Sequence, residues 1–466
     1  MRATHVLAAV FASAAATLAV TEPARDPDLF WHLATGSWML DHGRLLDRDV
    51  FSFTRVGTPY SAGQWLGQVA LELAFRAGGW VGIELLRAAL VGVATLFLSR
   101  AALRIQPHPG WSAVPIVGAI LLSRLAWGDR PQLFTLALFP VFLDLLLRAR
   151  RGEGARPLYA LPALALLWAN LHGAYILGLA LLVVFVIEAQ LVRHPMRRYL
   201  AITLVASALA SSFNPSGLIA LTWARSYAAS AGQRVAEERP TDVLSPAGAL
   251  YALLLLVALA AALLLGRSGL SAKVGPPLLW SGVIVPFALL GLAIQRQLPY
   301  AGDVLAPFVA AAVPAALGRT RSSSPRLPRP LALAAIGALA VLPVAVGALA
   351  APREPDLAGY PTGALAELRA RRGNLLHEYD WGGYLIRAAP DHPTFIDGRL
   401  FPFVPDVLAD WSKAVAAQPG YAEVLERHDI HLVLLRPQRP LAAALGERGW
   451  PVVAQEPGRW VLLVRP

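Results

Sequence analysis

No cysteine occurs in the 466 residues. That excludes disulfides, thiol nucleophiles and cysteine-ligated zinc, and it removes the usual marker of redox compartment. Charge is scarce as well: Asp, Glu, Lys and Arg make up 15% of the chain, against roughly 25% in an ordinary soluble domain. A chain with so little charge is neither disordered nor a coiled coil nor a basic nucleic-acid arm. Internal repeats are absent too, and the one low-complexity stretch is Ser322-Ser323-Ser324-Pro325. What the chain has instead is apolar surface: 56% hydrophobic residues and a mean hydropathy of +0.52.

A bilayer crossing needs about 20 apolar residues. Such runs lie near 80–98, 131–147, 174–191, 248–266, 277–294, 299–318 and 330–350, with shorter or interrupted ones near 4–20, 111–127, 157–169 and 199–213. That makes about eleven spans. One helix from Pro157 to Gln190 would be roughly 50 Å long at a rise of about 1.5 Å per residue, too long for a single crossing. A break at Asn170-Leu171-His172-Gly173 turns it into two crossings joined at one face.

Lys and Arg number 41 and Asp and Glu 30, a net charge of +11. In a soluble protein this excess would point to a polyanionic partner; in a membrane protein it is first a matter of orientation. With the N-terminus cytoplasmic, the inner loops carry Arg2; Arg100 and Arg104; Arg148, Arg150, Arg151 and Arg156; Arg193, Arg197 and Arg198; Arg267 and Lys273; and Arg319, Arg321, Arg326 and Arg329. Their one acid is Glu153. Residues 21–62, outside, hold four arginines against Glu22, Asp26, Asp28, Asp41, Asp47 and Asp49. The alternation places the N-terminus inside and the C-terminus outside. Arg2, an apolar run and small residues before Glu22 also fit a signal peptide, whose cleavage would leave the remaining topology unchanged.

Four segments follow. Residues 1–20 are the first span or a signal peptide, 21–78 a long first external loop rich in aromatics and acids, 79–351 the multi-span body, and 352–466 a soluble external tail. In the tail, short strands are expected at Asn374–Glu378, Thr394–Ile396, His431–Leu435, Val452–Gln455 and Trp460–Val464. Helices near 361–371, 405–417, 420–428 and 439–449 alternate with them. The fold class is therefore mainly α: a polytopic helical membrane protein with a small C-terminal α/β domain.

The loop opens on Glu22-Pro23-Ala24-Arg25-Asp26-Pro27-Asp28-Leu29-Phe30-Trp31-His32. Two carboxylates thus stand at the mouth of the first span. A helix from Asp28 should be amphipathic and interfacial, with Trp31 and Trp38 seven residues apart and Leu29 and Leu33 four apart. Asp28 and His32, at i and i+4, share a face and could share a proton or a ligand. Capping explains the acids equally well, since Asp26 before Pro27 is a good N-cap and Asp28 favours the helix dipole.

One span, a long external loop with an Asp-x-Asp pair and an interfacial helix, many further spans and a soluble external tail: this order resembles the GT-C superfamily of membrane glycosyltransferases. The stretches Asp26–Thr54, Trp168-Ala169-Asn170-Leu171-His172-Gly173 and Asp380-Trp381-Gly382-Gly383-Tyr384 also look like a group of uncharacterised bacterial multi-pass proteins related to them. The architectural likeness covers most of the chain, whereas the motifs are short. It implies transfer of a sugar from a polyprenyl-phosphate donor to a glycan, lipid or protein acceptor at the outer face of a bacterial-type inner membrane, as part of cell-envelope chemistry. A loop Asp would be the general base, a role that maps onto Asp26 or Asp28.

The leaving polyprenyl phosphate needs cations or hydrogen-bond donors to hold its charge. Arg130, His172, Asn214 and Arg296 all fall at external span ends and are candidates, with Trp31 and His32 on the loop; Arg124 lies one to two turns deeper. Each also has a plainer use: Arg130 and Arg296 as headgroup anchors, His172 bonded to loosened backbone, Asn214 before Pro215 as a turn residue. Asp144 and Arg148 read as a helix pair, Glu84 and Arg87 as structural, and Glu237-Glu238, in an external loop, as a solvated face or else as part of the cavity lining. A divalent cation is conceivable on Asp26, Asp28 and His32, and metal use varies within the superfamily. In the tail, the glycines of Glu378–Tyr384 and Phe395-Ile396-Asp397-Gly398-Arg399 permit tight turns or close backbone approach. These segments read as turns, or as parts of a domain that docks an acceptor or closes over the membrane cavity. Other classes of function are a transporter or flippase for lipid-linked glycans, and an assembly scaffold. A transporter would carry paired ionisable groups at the bilayer midplane within repeats, and this chain instead concentrates polar residues at one face.

Overall fold

Hydropathy carries over into helices. In the computed structural model, which describes residues 1–217, 236–319 and 324–466, eight helices are long and apolar enough to cross a bilayer: Ala3–Val20, Trp65–Ile105, Pro109–Ala126, Gln132–Arg150, Gly173–Leu191, Pro246–Gly269, Gln295–Ala316 and Arg329–Ala350. Pro277–Ala293 is apolar but shorter, and Leu161–Leu171 and Arg197–Ser211 are the shorter, interrupted runs of the sequence. The serines Ser322 and Ser323 lie outside the described residues. The expected break is present: Leu161–Leu171 ends where His172 adopts an extended backbone (φ −160°, ψ 141°) before one 3₁₀ turn starts the next helix.

The chain divides into two compact units. One is Met1–Pro23 with Gly78–Arg353; the other is Ala24–Ala77 with Glu354–Pro466. The boundary falls beside Gly79, whose positive φ of 60° interrupts the helical run Trp65–Ile105.

The first unit is the helical membrane body. Its core gathers Phe139, Phe142, Trp168, Phe185, Tyr251 and Tyr300, all nearly inaccessible. Several buried charges in it are paired, which offsets the cost of a low-dielectric interior. Arg87 donates to both carboxylate oxygens of Asp129 at 2.8 Å and to the Ala19 carbonyl at 3.1 Å, and Arg150 grips Glu188 through two bonds of 2.8 and 2.9 Å. Asp144 does not pair with Arg148 along their helix. It faces Arg104 at 3.3 Å and Arg100 at 3.7 Å from a neighbouring helix, while Arg148 turns to Glu153 at 3.0 Å. Helix packing, invisible in a local i,i+4 pattern, supplies the better partners.

The second unit holds a four-stranded sheet. β1 (Asn374–His377) runs parallel to β2 (Ile430–Leu435), β2 antiparallel to β4 (Trp460–Val464), and β4 antiparallel to β3 (Val452–Glu456), giving the order β1-β2-β4-β3. Thr394–Ile396 is not a strand. Only isolated bridges form, from Thr394 to Ser52 and to Leu375. Pro393 offers no donor, and the Phe395 N–H goes to Nε2 of His377 at 3.2 Å instead of to a ladder. Burial holds the His377 ring below its ordinary pKa, so it stays neutral and can accept that bond. A short helix at Gly382–Ala388, unforeseen because Gly382-Gly383 reads as a turn, fills the space after β1.

Candidate active site

The acid pair lies in the second unit. The helix Asp28–His42 begins as expected, and Asp26 caps it: its Oδ1 accepts the Asp28 N–H at 3.0 Å. Asp28 uses its own Oδ1 to accept the Trp31 indole N–H at 3.0 Å. Both carboxylates are half-buried. The helix is not an interfacial one with a free apolar face. Phe30 packs edge-on against Tyr360 and Tyr384 at 5.3 and 5.4 Å, and Trp31 and His32 are buried, at 7% and 3% exposure. The tail supplies the cover that the periodicity had assigned to lipid.

The His32 ring lies tilted against Trp31 with centroids 3.5 Å apart, and its Nδ1 lies 3.3 Å from the Gln68 amide. Among the described residues no group of three or more His, Asp or Glu side chains is placed to hold a metal ion, so Asp26, Asp28 and His32 do not form that set. Sharing one helix face does not bring three ligands together.

Two glycine motifs of the tail close on the acids. A Cβ on Gly398 would lie 2.2 Å from Asp28 Oδ1 and 2.9 Å from Trp31 Nε1, and one on Gly383 would lie 3.0 Å from the Pro27 carbonyl oxygen. Only glycine permits this approach, and it sets how far the Asp28 carboxylate can rotate. Beside Gly398, Arg399 is buried between Asp397 and Asp49: Nη2 stands 2.6 Å from Asp397 and 3.1 Å from Asp49, with the rings of Phe51, Tyr60 and Phe403 around the guanidinium. Arg436 pairs with Asp380 at 2.6 Å, and Arg439 with the buried Glu378 at 2.6 Å. Both tail motifs are thus fixed by arginines, and their glycines touch the acid-bearing segment. The sequence hint was an acid and a glycine repeated together; what it could not name was the surface they press on.

In the first unit, three of the four span-end candidates come together. Arg130 Nη2 donates to both oxygens of Glu237, at 2.7 and 2.9 Å. Arg296 donates to Glu238 at 2.9 Å and stands 3.9 Å from Glu237. Both arginines act electrostatically on the His172 ring, which shares Thr135 Oγ1, 2.8 Å away, with the Trp168 indole N–H at 2.7 Å. Asn214 stays apart, closing its own turn with bonds to Ser211 O and the Ser216 N–H. Arg124, the deeper cation, pairs with Glu22 and lies over Trp127. Glu237 and Glu238 are not a bare solvated face but the counter-charges of two arginines. The available signal was two cations at span ends that would need partners.

No family model matches the chain, and no curated protein matches it. Its fold is nevertheless found among solved structures. The chain is similar to ArnT from Cupriavidus metallidurans bound to undecaprenyl phosphate, at 14% identity and a TM-score of 0.50, over 98% of this chain and 97% of that one. It is similar to the oligosaccharyltransferase of Archaeoglobus fulgidus tethered with an acceptor peptide, at 13% identity and a TM-score of 0.53, over 93% of this chain and 69% of that one. The arabinofuranosyltransferase AftD from Mycobacteria matches at 15% identity and a TM-score of 0.51, over 97% of this chain but 39% of that one. All three are GT-C glycosyltransferases, and this chain has the GT-C fold of a multi-pass membrane protein.

Proposed function

We propose that this chain is an integral membrane glycosyltransferase that moves a hexosyl or pentosyl group from a polyprenyl-phosphate donor to a glycan, lipid or protein acceptor. Reaction takes place at the external face of a bacterial-type inner membrane, with the N-terminus cytoplasmic, as the distribution of basic loops supports. The reading rests on a GT-C fold that carries, right after its first helix, two carboxylates held in place by defined donors.

Either Asp26 or Asp28 takes the proton of the acceptor hydroxyl as its oxygen bonds to the anomeric carbon. The bond from that carbon to the phosphate oxygen breaks, and the polyprenyl phosphate leaves with the electron pair. Arg130 and Arg296 hold the phosphate, and His172 lies within their field. General-base assistance is worth about 10²–10⁴-fold, and stabilising the leaving charge adds to it.

Asp28→Asn is the cleaner test, because Asp26→Asn also disturbs a helix cap worth about 0.5–2 kcal/mol. Deletion of the gene should remove one sugar from a surface glycan, read by mass spectrometry, and the wild-type gene should restore it. At least one of the two Asn variants should fail to restore it while inserting and folding normally. Full restoration by both single variants and by the double variant would refute a catalytic role for the pair.

A further inference from the structure

Glu237 and Glu238 occupy the two arginines in different ways. Glu237 is 45% exposed and bridges both, touching Arg130 at 2.7 Å and reaching Arg296 at 3.9 Å. Glu238 is 10% exposed and bonds Arg296, at 2.9 Å. The arginines themselves are largely covered, at 15% and 21% exposure. A carboxylate lying across guanidinium groups offers them the same oxygens and the same sign of charge as a phosphate ester.

We infer that Glu237 is an internal stand-in for the phosphate ester of the donor: it fills the arginine pair until the ester displaces it, while Glu238 stays and holds Arg296 in place. This rests on the reading above that Arg130 and Arg296 receive the donor phosphate. When Glu237 withdraws, one negative charge leaves the two arginines, and an ester that carries a single negative charge replaces it like for like. Exposure decides which glutamate moves. A half-exposed carboxylate is rehydrated at once when it leaves, and such surface pairs are worth only about 0–1 kcal/mol. A buried carboxylate such as Glu238 regains no water without further rearrangement, so its departure is costly. The exchange also acts as a filter, because a weakly bound anion that cannot bridge both arginines does not dislodge Glu237.

The test measures binding of undecaprenyl phosphate to the full-length protein in detergent, with Glu237→Gln, Glu237→Ala, Glu238→Gln and the double variant Arg130→Gln/Arg296→Gln. Both Glu237 variants should bind about two- to fivefold more tightly than wild type, the factor that removing a surface pair of that strength allows. Glu238→Gln should gain nothing, and the double arginine variant should lose binding. Loss in the arginine variant with no gain at Glu237 would overturn the stand-in while sparing the proposed phosphate site; wild-type binding by the arginine variant would overturn both. A gain at Glu238 equal to that at Glu237 would also refute the assignment. Inorganic phosphate, titrated alone at the same concentration, should bind far more weakly than undecaprenyl phosphate, and equal binding of the two would show that no lipid ester is specified.

Discussion

At the level of single residues, the acids, arginines and histidine proposed to act on the substrate stand out in the sequence because charge is so rare in it. Their partners do not. Asp28 is found from its place after the first span, but its bond to Trp31 and the pressure of Gly398 on it depend on tertiary contacts that no local spacing encodes. Gly398 offers a direct test of whether the position of that carboxylate matters. Gly398 is not at positive φ, so alanine brings no backbone strain; its Cβ would meet only the mobile end of Asp28 and the indole edge of Trp31. The carboxylate can rotate away only by giving up the Trp31 N–H, and the buried indole edge must also give. Stability should therefore fall, by no more than about 1–3 kcal/mol. Transfer should fall at least tenfold, since about 1 Å of misplacement at a reacting group is worth up to roughly 10²-fold. An unchanged turnover with an unchanged melting temperature would mean that the Asp28 rotamer does not limit the reaction.

At the level of elements, the apolar runs and the break at Asn170-Leu171-His172-Gly173 were readable from hydropathy and length, because a bilayer imposes both. The pairing of Asp144 across helices was not, since a helix-period rule sees only neighbours on the same helix. The short helix Gly382–Ala388 was hidden for a related reason: its two glycines are there for close approach to Asp397 and Trp31, not for a turn. Close approach also organises the broken hairpin of the membrane body. A Cβ on Gly178, in the helix Ile176–Leu191, would fall 2.5 Å from the Trp168 ring and 3.2 Å from the Phe142 ring. Exchanging an interior helical glycine for alanine ordinarily gains up to about 1 kcal/mol. Here the ring is rigid and fully buried, and overpacking costs about 1–3 kcal/mol, so the clash wins. Gly178→Ala should therefore lower the melting temperature in detergent, while alanine at the uncrowded helical Gly337 should leave it level or raise it. A rise at Gly178 would show that the two helices can separate without loss.

Across the whole molecule, the sequence divides into a loop, a membrane body and a tail, yet the loop 24–77 and the tail 354–466 form one compact unit. Nothing in the pattern of either segment names the other, because a buried ion pair leaves no periodic trace. Arg399 is the centre of their union. It is 1% exposed, with Asp49 of the loop and Asp397 of the tail both at 0%, and Tyr60, pushed up to about 12 by burial, stays neutral and contributes only its ring. Removing the cation leaves two carboxylates buried without their partner, a change that costs about 3–5 kcal/mol when a buried pair is broken. Arg399→Met keeps most of the side-chain volume, so lost packing is a minor part of the effect. The loop should then detach locally, and Arg55 reports on it: its Nε donates to the Pro402 carbonyl at 2.6 Å and its guanidinium pairs with Asp406, which together shield the following peptide bond. Limited trypsin digestion of the full-length variant should cleave after Arg55 at least tenfold faster than in wild type, while the membrane helices remain protected. The same variant should lose transfer, since the loop that detaches carries Asp26 and Asp28. If cleavage at Arg55 keeps its wild-type rate, the loop holds its fold without the buried arginine, and the tail's hold on the acid pair must come from the Phe30, Tyr360 and Tyr384 contacts instead.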